Sequence, residues 1–334
     1  MTLKSAIIAT LALGPQRSEG RKLNTLNLGE SIIATLAYHD LFDYPLPQDE
    51  IYRYLIEKKS SLGSVEKELA NLNRNKKIFH GKSYYSLPKR SKIIKTRIQR
   101  TKHSEAKYKR ALLYAKILKT IPFLKLVALS GALSMRNSQK DDDIDLVLVS
   151  KKGTLWTTRF LANTLLFNVK RNPQSPKTSN KACLNIFIDE SSLTIKDQNI
   201  YIAHEICQMK PLWDRNETYS RFINSNQWIY KYMPNWRPQE MESGKWKMEN
   251  HQSRGAAKKD SSLNTLGPQS EGRGPHGTVY HSTLVEILLK KFQLWYMKEK
   301  ISTEKIGDKQ LFFHPKDTQS WVITEYEKRL RKLP

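Results

Sequence analysis

Only two cysteines, Cys183 and Cys207, occur in 334 residues. That excludes a disulfide framework, supplies no CxxC metal knuckle, and fits a reducing, cytoplasmic setting. Long apolar runs are missing too: nothing approaches the ~18 consecutive apolar residues that a membrane span requires. The opening stretch "MTLKSAIIATLALG" imitates a weak signal peptide, yet its IIATLA, residues 7–12, returns at 32–37 inside an amphipathic segment. It reads as duplicated sequence and not as a leader. Acids are the third scarcity. Asp and Glu number 32 against 57 Lys and Arg, a formal net charge of +25. Such a surplus points to a polyanionic partner, nucleic acid first and nucleotide phosphates second.

What is present begins with size. The chain exceeds the usual ~100–150-residue domain, and 39% hydrophobic residues suffice for ordinary cores. The composition divides it into a low-complexity extension (1–27), a helical unit (28–90), a basic helical connector (91–121), an α+β core with a small mixed sheet (122–236), a polar linker or insertion (237–281) and C-terminal helices (282–334). "LGPQRSEGR" at 13–21 and "LGPQSEGR" at 266–273 are near-copies without hydrophobic periodicity, too few and too far apart for a solenoid,.

Within the helical unit, "ESIIATLAYHDLF" has apolar residues at helical spacing, and Pro47 and Asp49 are placed to start a second helix,. A third is expected from an N-cap at Ser64, burying Val65, Leu69 and Leu72,. "KKIFHGKSYYSL" then reads as a hairpin turning at Gly81-Lys82,. Three helices and a hairpin in this order resemble a winged helix. Glu66 and Glu68 on the third helix would repel phosphate, so sequence-specific DNA reading is not its favoured role.

From Arg74 to Lys125 there are seventeen Lys and Arg and one acid, Glu105. This segment reads as one long or two consecutive helices, with Ile93, Ile94, Ile98, Leu112, Leu113 and Ile117 as the apolar contributions. A solvated basic face is the bland reading; the one-signed density favours phosphate or nucleic-acid contact across 74–125. Strands are then expected at Leu124–Leu129, "IDLVLVS" and "ACLNIFID", with helices at "TLWTTRFLANTLLFNV" and "DQNIYIAHEICQMKPLW",. Terminal helices follow at "STLVEILLKKFQLWYMKEKI" and "DTQSWVITEYEKRLRKL".

The scarce acids gather in one place. "NSQKDDDIDLVLVS" sets Asp141, Asp142, Asp143 and Asp145 against a buried strand. Alternation along the strand puts Asp143 and Asp145 on one face. Two carboxylates one pleat apart can hold a hard cation, Mg²⁺ or Mn²⁺, with positions left for substrate phosphates. Asp141 and Asp142 read as loop-surface acids. Ser130, Gly131 and Ala132, just upstream, can bring backbone amides to a triphosphate because Gly131 has no side chain.

A strand, a glycine with a small residue, a twelve-residue step from Gly131 to Asp143, and Asp-x-Asp leading the next strand resemble the nucleotidyltransferase superfamily of DNA polymerase beta-like fold. With a winged helix in front, the chain is similar to bacterial proteins carrying a nucleotidyltransferase domain. The resemblance implies Mg²⁺ on Asp143 and Asp145 and an NTP whose nucleoside monophosphate passes to an RNA, small-molecule or protein acceptor. Two departures stand out. Ala132 replaces the family's serine, and the third acid of the later strand is represented by Asn185, inward on "CLNIFID", or by Asp189 at its end. The alternative is a winged-helix nucleic-acid-binding or regulatory protein with a catalytically degraded domain. Arg159 could reach a phosphate or bridge a nearby acid; Lys170 and Arg171 could approach the nucleotide or serve solubility. His204 beside Glu205 reads as a buried, hydrogen-bonded histidine.

Overall fold

The structure, a computed structural model, describes residues 26–172, 175, 178–238, 279–298, 304–313 and 318–332. The duplicated pieces at 7–21 and 266–273 lie outside them.

Asn27 starts α1 (Leu28–Asp40) with a capping box: its side chain accepts from the Glu30 N–H, and Glu30 accepts from the Asn27 N–H,. After Pro47 comes the short α2 (Gln48–Arg53), then α3 (Leu62–Arg74). The cap of α3 is Ser61, one turn earlier than expected, with the Ser64 N–H donating to Ser61 Oγ at 3.1 Å. Ser64 lies three residues into the helix and is the recipient of the cap. Val65, Leu69 and Leu72 are buried as their spacing predicts. The hairpin of β1 (Phe79–Gly81) and β2 (Tyr84–Ser86) turns at Lys82 and Ser83, both at positive φ. That is the type I′ requirement, and Gly81 instead pairs with Tyr84 across the ladder,.

The basic stretch forms one continuous helix, α4 (Lys92–Leu118). Its buried stripe runs Ile93, Ile94 and then Ala111, Tyr114, Ala115, Leu118, whereas Leu112 and Leu113 are exposed. Positions 112 and 113 lie about 100–200° around the helix from 111, so a hydrophobic count alone overstated that face.

Beyond α4 the chain is a mixed α/β structure. It runs through β3 (Leu124–Leu129), α5 (Gly131–Ser134), β4 (Ile144–Ser150), α6 (Leu155–Leu165), β5 (Ala182–Asp189), α7 (Ile200–Gln208), β6 (Lys210–Asp214) and α8 (Thr218–Asn224). Then come α9 (Val279–Met297), β7 (Lys305–Ile306), β8 (Gln310–Phe312) and α10 (Thr318–Arg331). The six-stranded sheet has order β6-β3-β4-β5-β8-β7. β4 and β5 are parallel and the other neighbours antiparallel. The expected single helix over 197–213 is thus two elements. It ends at Gln208, and the rest is edge strand β6, whose Pro211 has no N–H to give and sits where a ladder tolerates that,.

Helices cover both faces of the sheet. Val127, Leu129, Ile144, Leu146 and Leu148 pack on one side in a cluster with residues of α4, α6 and α9. Leu126, Ala128, Val147 and Val149 point the other way, into a cluster shared with α1–α3, α7, α8 and α10. Direct hydrogen bonds fasten the N-terminal helices to this second side: Tyr44 Oη to Met135 O at 3.0 Å, Tyr326 Oη to Ala34 O at 3.1 Å, and Arg53 Nη2 to Arg237 O at 2.7 Å. Arg90 and Arg329 both pair with buried Asp40, so part of the basic surplus is consumed in holding the fold. Among the described residues no helix is long and apolar enough to cross a membrane.

Candidate functional site

β3 ends at Leu129, and the Ser130 N–H donates to Asp145 O at 3.1 Å, which seats the following turn on β4. Gly131 then takes φ +62°, and a Cβ built on it would stand 2.6 Å from Asp145 Oδ2. Any side chain there would be strained in backbone and would displace the carboxylate. The turn continues into α5, where Ser134 Oγ donates to Gly131 O at 2.7 Å.

The acidic loop is fixed from outside. Asp142 accepts from the Gln139 N–H at 2.7 Å and its carbonyl takes the Asn180 N–H at 3.1 Å and buried Lys107. Asp141 is exposed, with its carbonyl bound by Thr178 Oγ1 at 2.8 Å. These two acids are loop scaffolding. Asp143 and Asp145 point inward, and with Cys183 they offer ligand atoms that all lie within 4.8 Å of one another. Asp143 and Asp145 therefore lie close together, with Asp145 Oδ2 against the Gly131 backbone.

Three further groups complete the surroundings. Arg171 Nη1 pairs with Asp143 Oδ2 at 2.8 Å. Asn185 gives its amide to Asp145 and takes the Cys183 thiol proton on Oδ1, with Sγ at 2.8 Å. Glu205 comes from α7, and the Gly131 N–H points at its carboxylate. Burial, then Asp143, then Glu205 push the Asp145 carboxyl up to about 8, with Arg171 and Asn185 opposing. Burial also raises Glu205, to about 7. Three carboxyl groups thus share one guanidinium, and two of them are held toward the protonated form until positive charge is added,. Burial and the two aspartates raise the Cys183 thiol as well, so the thiolate that a soft metal requires is disfavoured. The oxygen donors suit a hard divalent cation.

Asp143, Asp145, Arg171, Asn185 and Glu205 line a cleft of about 320 Å³ between the sheet and the N-terminal helices. Ser130, Gly131, Ala132, Asn137, Asp143 and Asp145 form one wall, and Tyr38, His39, Phe42 and Tyr44 form another. That volume is at the lower end of the ~300–1,000 Å³ typical of small-molecule sites. His39 and His204 are buried, each with Nδ1 at 2.9 Å from a carbonyl one turn back, Thr35 and Ile200. A carbonyl only accepts, so each Nδ1 carries the proton. Burial holds His39 down at about 4 and His204 low as well. The histidine at 204 is therefore a buried, hydrogen-bonded group, as expected.

Other expected site residues are placed differently. The Ser130 N–H is taken by Asp145 O, the Gly131 N–H faces the Glu205 carboxylate, and Ser130, Gly131 and Ala132 all line the cleft. Arg159 lies in the packing of α6 on α9, donating to Gln293 Oε1 at 2.5 Å and contacting Met297 Sδ at 2.9 Å, and it does not line the cleft. Asp189 is six residues beyond Cys183 on β5, about 20 Å away at strand rise. It accepts from Gly153 N, Ser191 N and Ser191 Oγ at 2.7–2.8 Å, and only Asn185 of that pair reaches the acids. Glu205 was not identified from the sequence as a site residue. Its signal was the spacing Tyr201, Glu205, Gln208, a polar stripe on an otherwise apolar helix, and all three line the cleft.

No protein-family profile matches this chain, and neither a curated protein nor a solved structure does.

Proposed function

We propose that the cleft is the active site of a divalent-cation-dependent nucleotidyltransferase, built as a polymerase beta-like core with a winged-helix-like unit in front. The observation that carries this is the convergence of Asp143 and Asp145 on one point beside side-chain-free Gly131. Asp143 and Asp145 would hold Mg²⁺ or Mn²⁺, which supplies charge neutralisation for the nucleotide's phosphates when bound.

In this reading the chain's residues position and neutralise. Arg171 is released from Asp143 to a phosphate, since its planar fork suits that geometry. An acceptor hydroxyl forms the new O–P bond at the α-phosphorus, the bond to the leaving pyrophosphate breaks, and the hydroxyl proton passes to Glu205. A carboxyl raised to about 7 by burial is matched to proton transfer near neutral pH. Glu205 thereby fills, from a helix, the third acidic role that Asn185 cannot perform, because an amide takes up no proton. Tyr38, His39, Phe42 and Tyr44 close the cleft, giving the N-terminal unit a part in enclosing substrate. The exposed cations along α4, among them Lys95, Lys102, Lys109 and Lys116, form a face on which an RNA acceptor could lie.

The second reading, a nucleic-acid-binding or regulatory protein with a degraded site, is favoured by the Asp143–Arg171 ion pair and by Asn185. Incubating the protein with α-labelled NTPs, Mn²⁺ or Mg²⁺ and RNA, metabolite or protein acceptors separates the two. Label transfer with pyrophosphate release, lost in Asp143→Asn and Asp145→Asn, supports the enzyme. No transfer with any NTP, alongside salt-sensitive nucleic-acid binding, supports the regulator.

A further inference from the structure

α9 is apolar around most of its circumference. Glu286, Leu289, Gln293 and Met297 turn toward the fold: Glu286 accepts from the Trp156 and Thr157 N–H groups, and Gln293 Nε2 donates to Trp156 O at 2.9 Å. The opposite side carries Leu284, Val285, Ile287, Leu288, Phe292, Trp295 and Tyr296, all exposed, with Leu288 at 65% and Trp295 at 73%. A helix that is hydrophobic all round belongs in an interior. These seven side chains present roughly 700–800 Å² of apolar surface, above the ~300–600 Å² of the largest patch on an ordinary monomer.

We propose that this outward face of α9 is the interface of a symmetric dimer, occupied by the same face of a second copy. The inference stands on α9 alone and is independent of how the cleft is read. The exposed area matches the ~800 Å² per partner of a stable interface. The stripe is also self-complementary. Its first half is aliphatic (Leu284, Val285, Ile287, Leu288) and its second half aromatic (Phe292, Trp295, Tyr296). An antiparallel two-fold crossing lays each copy's large rings on the other's smaller side chains, and isologous contact closes at two chains. Charge does not forbid pairing at the face itself. Lys290 is paired with Asp308 at 2.7 Å, and Lys291 at the stripe's edge can extend its ammonium to water along its aliphatic stem. Long-range repulsion between two copies of net charge +25 is screened by salt, so the dimer strengthens as salt rises.

Sedimentation velocity on the full chain is the test, over a range of salt. The expected result is a species of twice 38.9 kDa at micromolar concentration, favoured at 0.5 M over 0.05 M NaCl. Leu288→Glu with Trp295→Glu should weaken self-association at least 100-fold with the far-UV spectrum unchanged. Should that variant misfold, mixing Leu284→Cys chains with Tyr296→Cys chains under mild oxidation gives a disulfide-linked heterodimer if the crossing is antiparallel. A protein monomeric at 50 µM in 0.5 M NaCl overturns the proposal. So does a monomer that floats with anionic vesicles in a salt-sensitive manner, which would make the face a membrane contact. A monomer that dimerises only when residues 1–25 are deleted also overturns it, since the face would then be covered by the chain's own segment.

Discussion

Asp145 and Asp189 are carboxylates at opposite ends of the same pair of parallel strands, in contrasting surroundings. Asp189 is buried and saturated: two backbone N–H groups and a hydroxyl donate to it, and it ties the β4–α6 turn to the end of β5. Asp145 takes one side-chain donor, Asn185, and shares its space with Asp143 and Glu205. A carboxylate that holds structure is surrounded by donors. Asp145 is crowded by like charge instead, and in the proposed function a bound cation would relieve that crowding,.

The comparison breaks most visibly in activity. Asp145→Asn should lower turnover at least ~100-fold, the scale of losing one charge-stabilising group from a preorganised site, as measured by label transfer. Asp189→Asn should leave turnover within about threefold. Stability should move the opposite way. Asp189→Ala removes three hydrogen bonds whose donors, on exposed Gly153 and Ser191, turn to water; at about 0.5–1.5 kcal/mol each, its thermal midpoint should fall by several degrees. Gly131→Ala falls between: forcing a side chain into the left-handed region costs about 1–2 kcal/mol, and cation binding should fail as well because Asp145 is displaced. Fluorescence melts and calorimetric titration with Mn²⁺ check both.

The pH predictions are smaller. Asp145 is neutral in the folded chain up to about 8, whereas an unfolded chain ionises it near ~3.9. Its contribution to stability is therefore lost as pH rises from about 4 to about 8, and the loss is complete above that. Without cation, Asp145→Asn should raise the midpoint by roughly 2–6 °C at pH 8 and leave it unchanged at pH 4. Cation binding needs the ionised form, so Mn²⁺ affinity should tighten by up to about tenfold per pH unit from 6 to 8 and level off above.

Much of this was legible in the sequence, for identifiable reasons. The three N-terminal helices, the hairpin, and the strands at Leu124, Ile144 and Ala182 all announced themselves by periodicity. The positive φ at Gly131 and the shared face of Asp143 and Asp145 follow from glycine's freedom and strand alternation,. What escaped was decided by tertiary partners. β6, β7 and β8 are five residues or shorter, and β6 contains a proline; such strands exist because a neighbouring edge pairs with them. Leu112 and Leu113 are hydrophobic yet exposed, because the small Ala111 and Ala115 let α4 approach the sheet on another side. Glu205 was passed over because the sequence shows only its neighbour His204, and the step that brings α7 beside Gly131 is made by the fold.

The central claim of the proposed function is that Asp143, Asp145 and Glu205 form a site whose carboxyl protons give way to a divalent cation. Calorimetric titration of Mn²⁺ at pH 7, repeated in buffers of different ionisation enthalpy and with a nonhydrolysable NTP present, reads this directly. The account predicts binding with release of about one proton per chain, lost in the Asp143→Asn, Asp145→Asn double variant. Saturating millimolar Mn²⁺ without heat, or binding of equal strength and no proton release in both proteins, would contradict it.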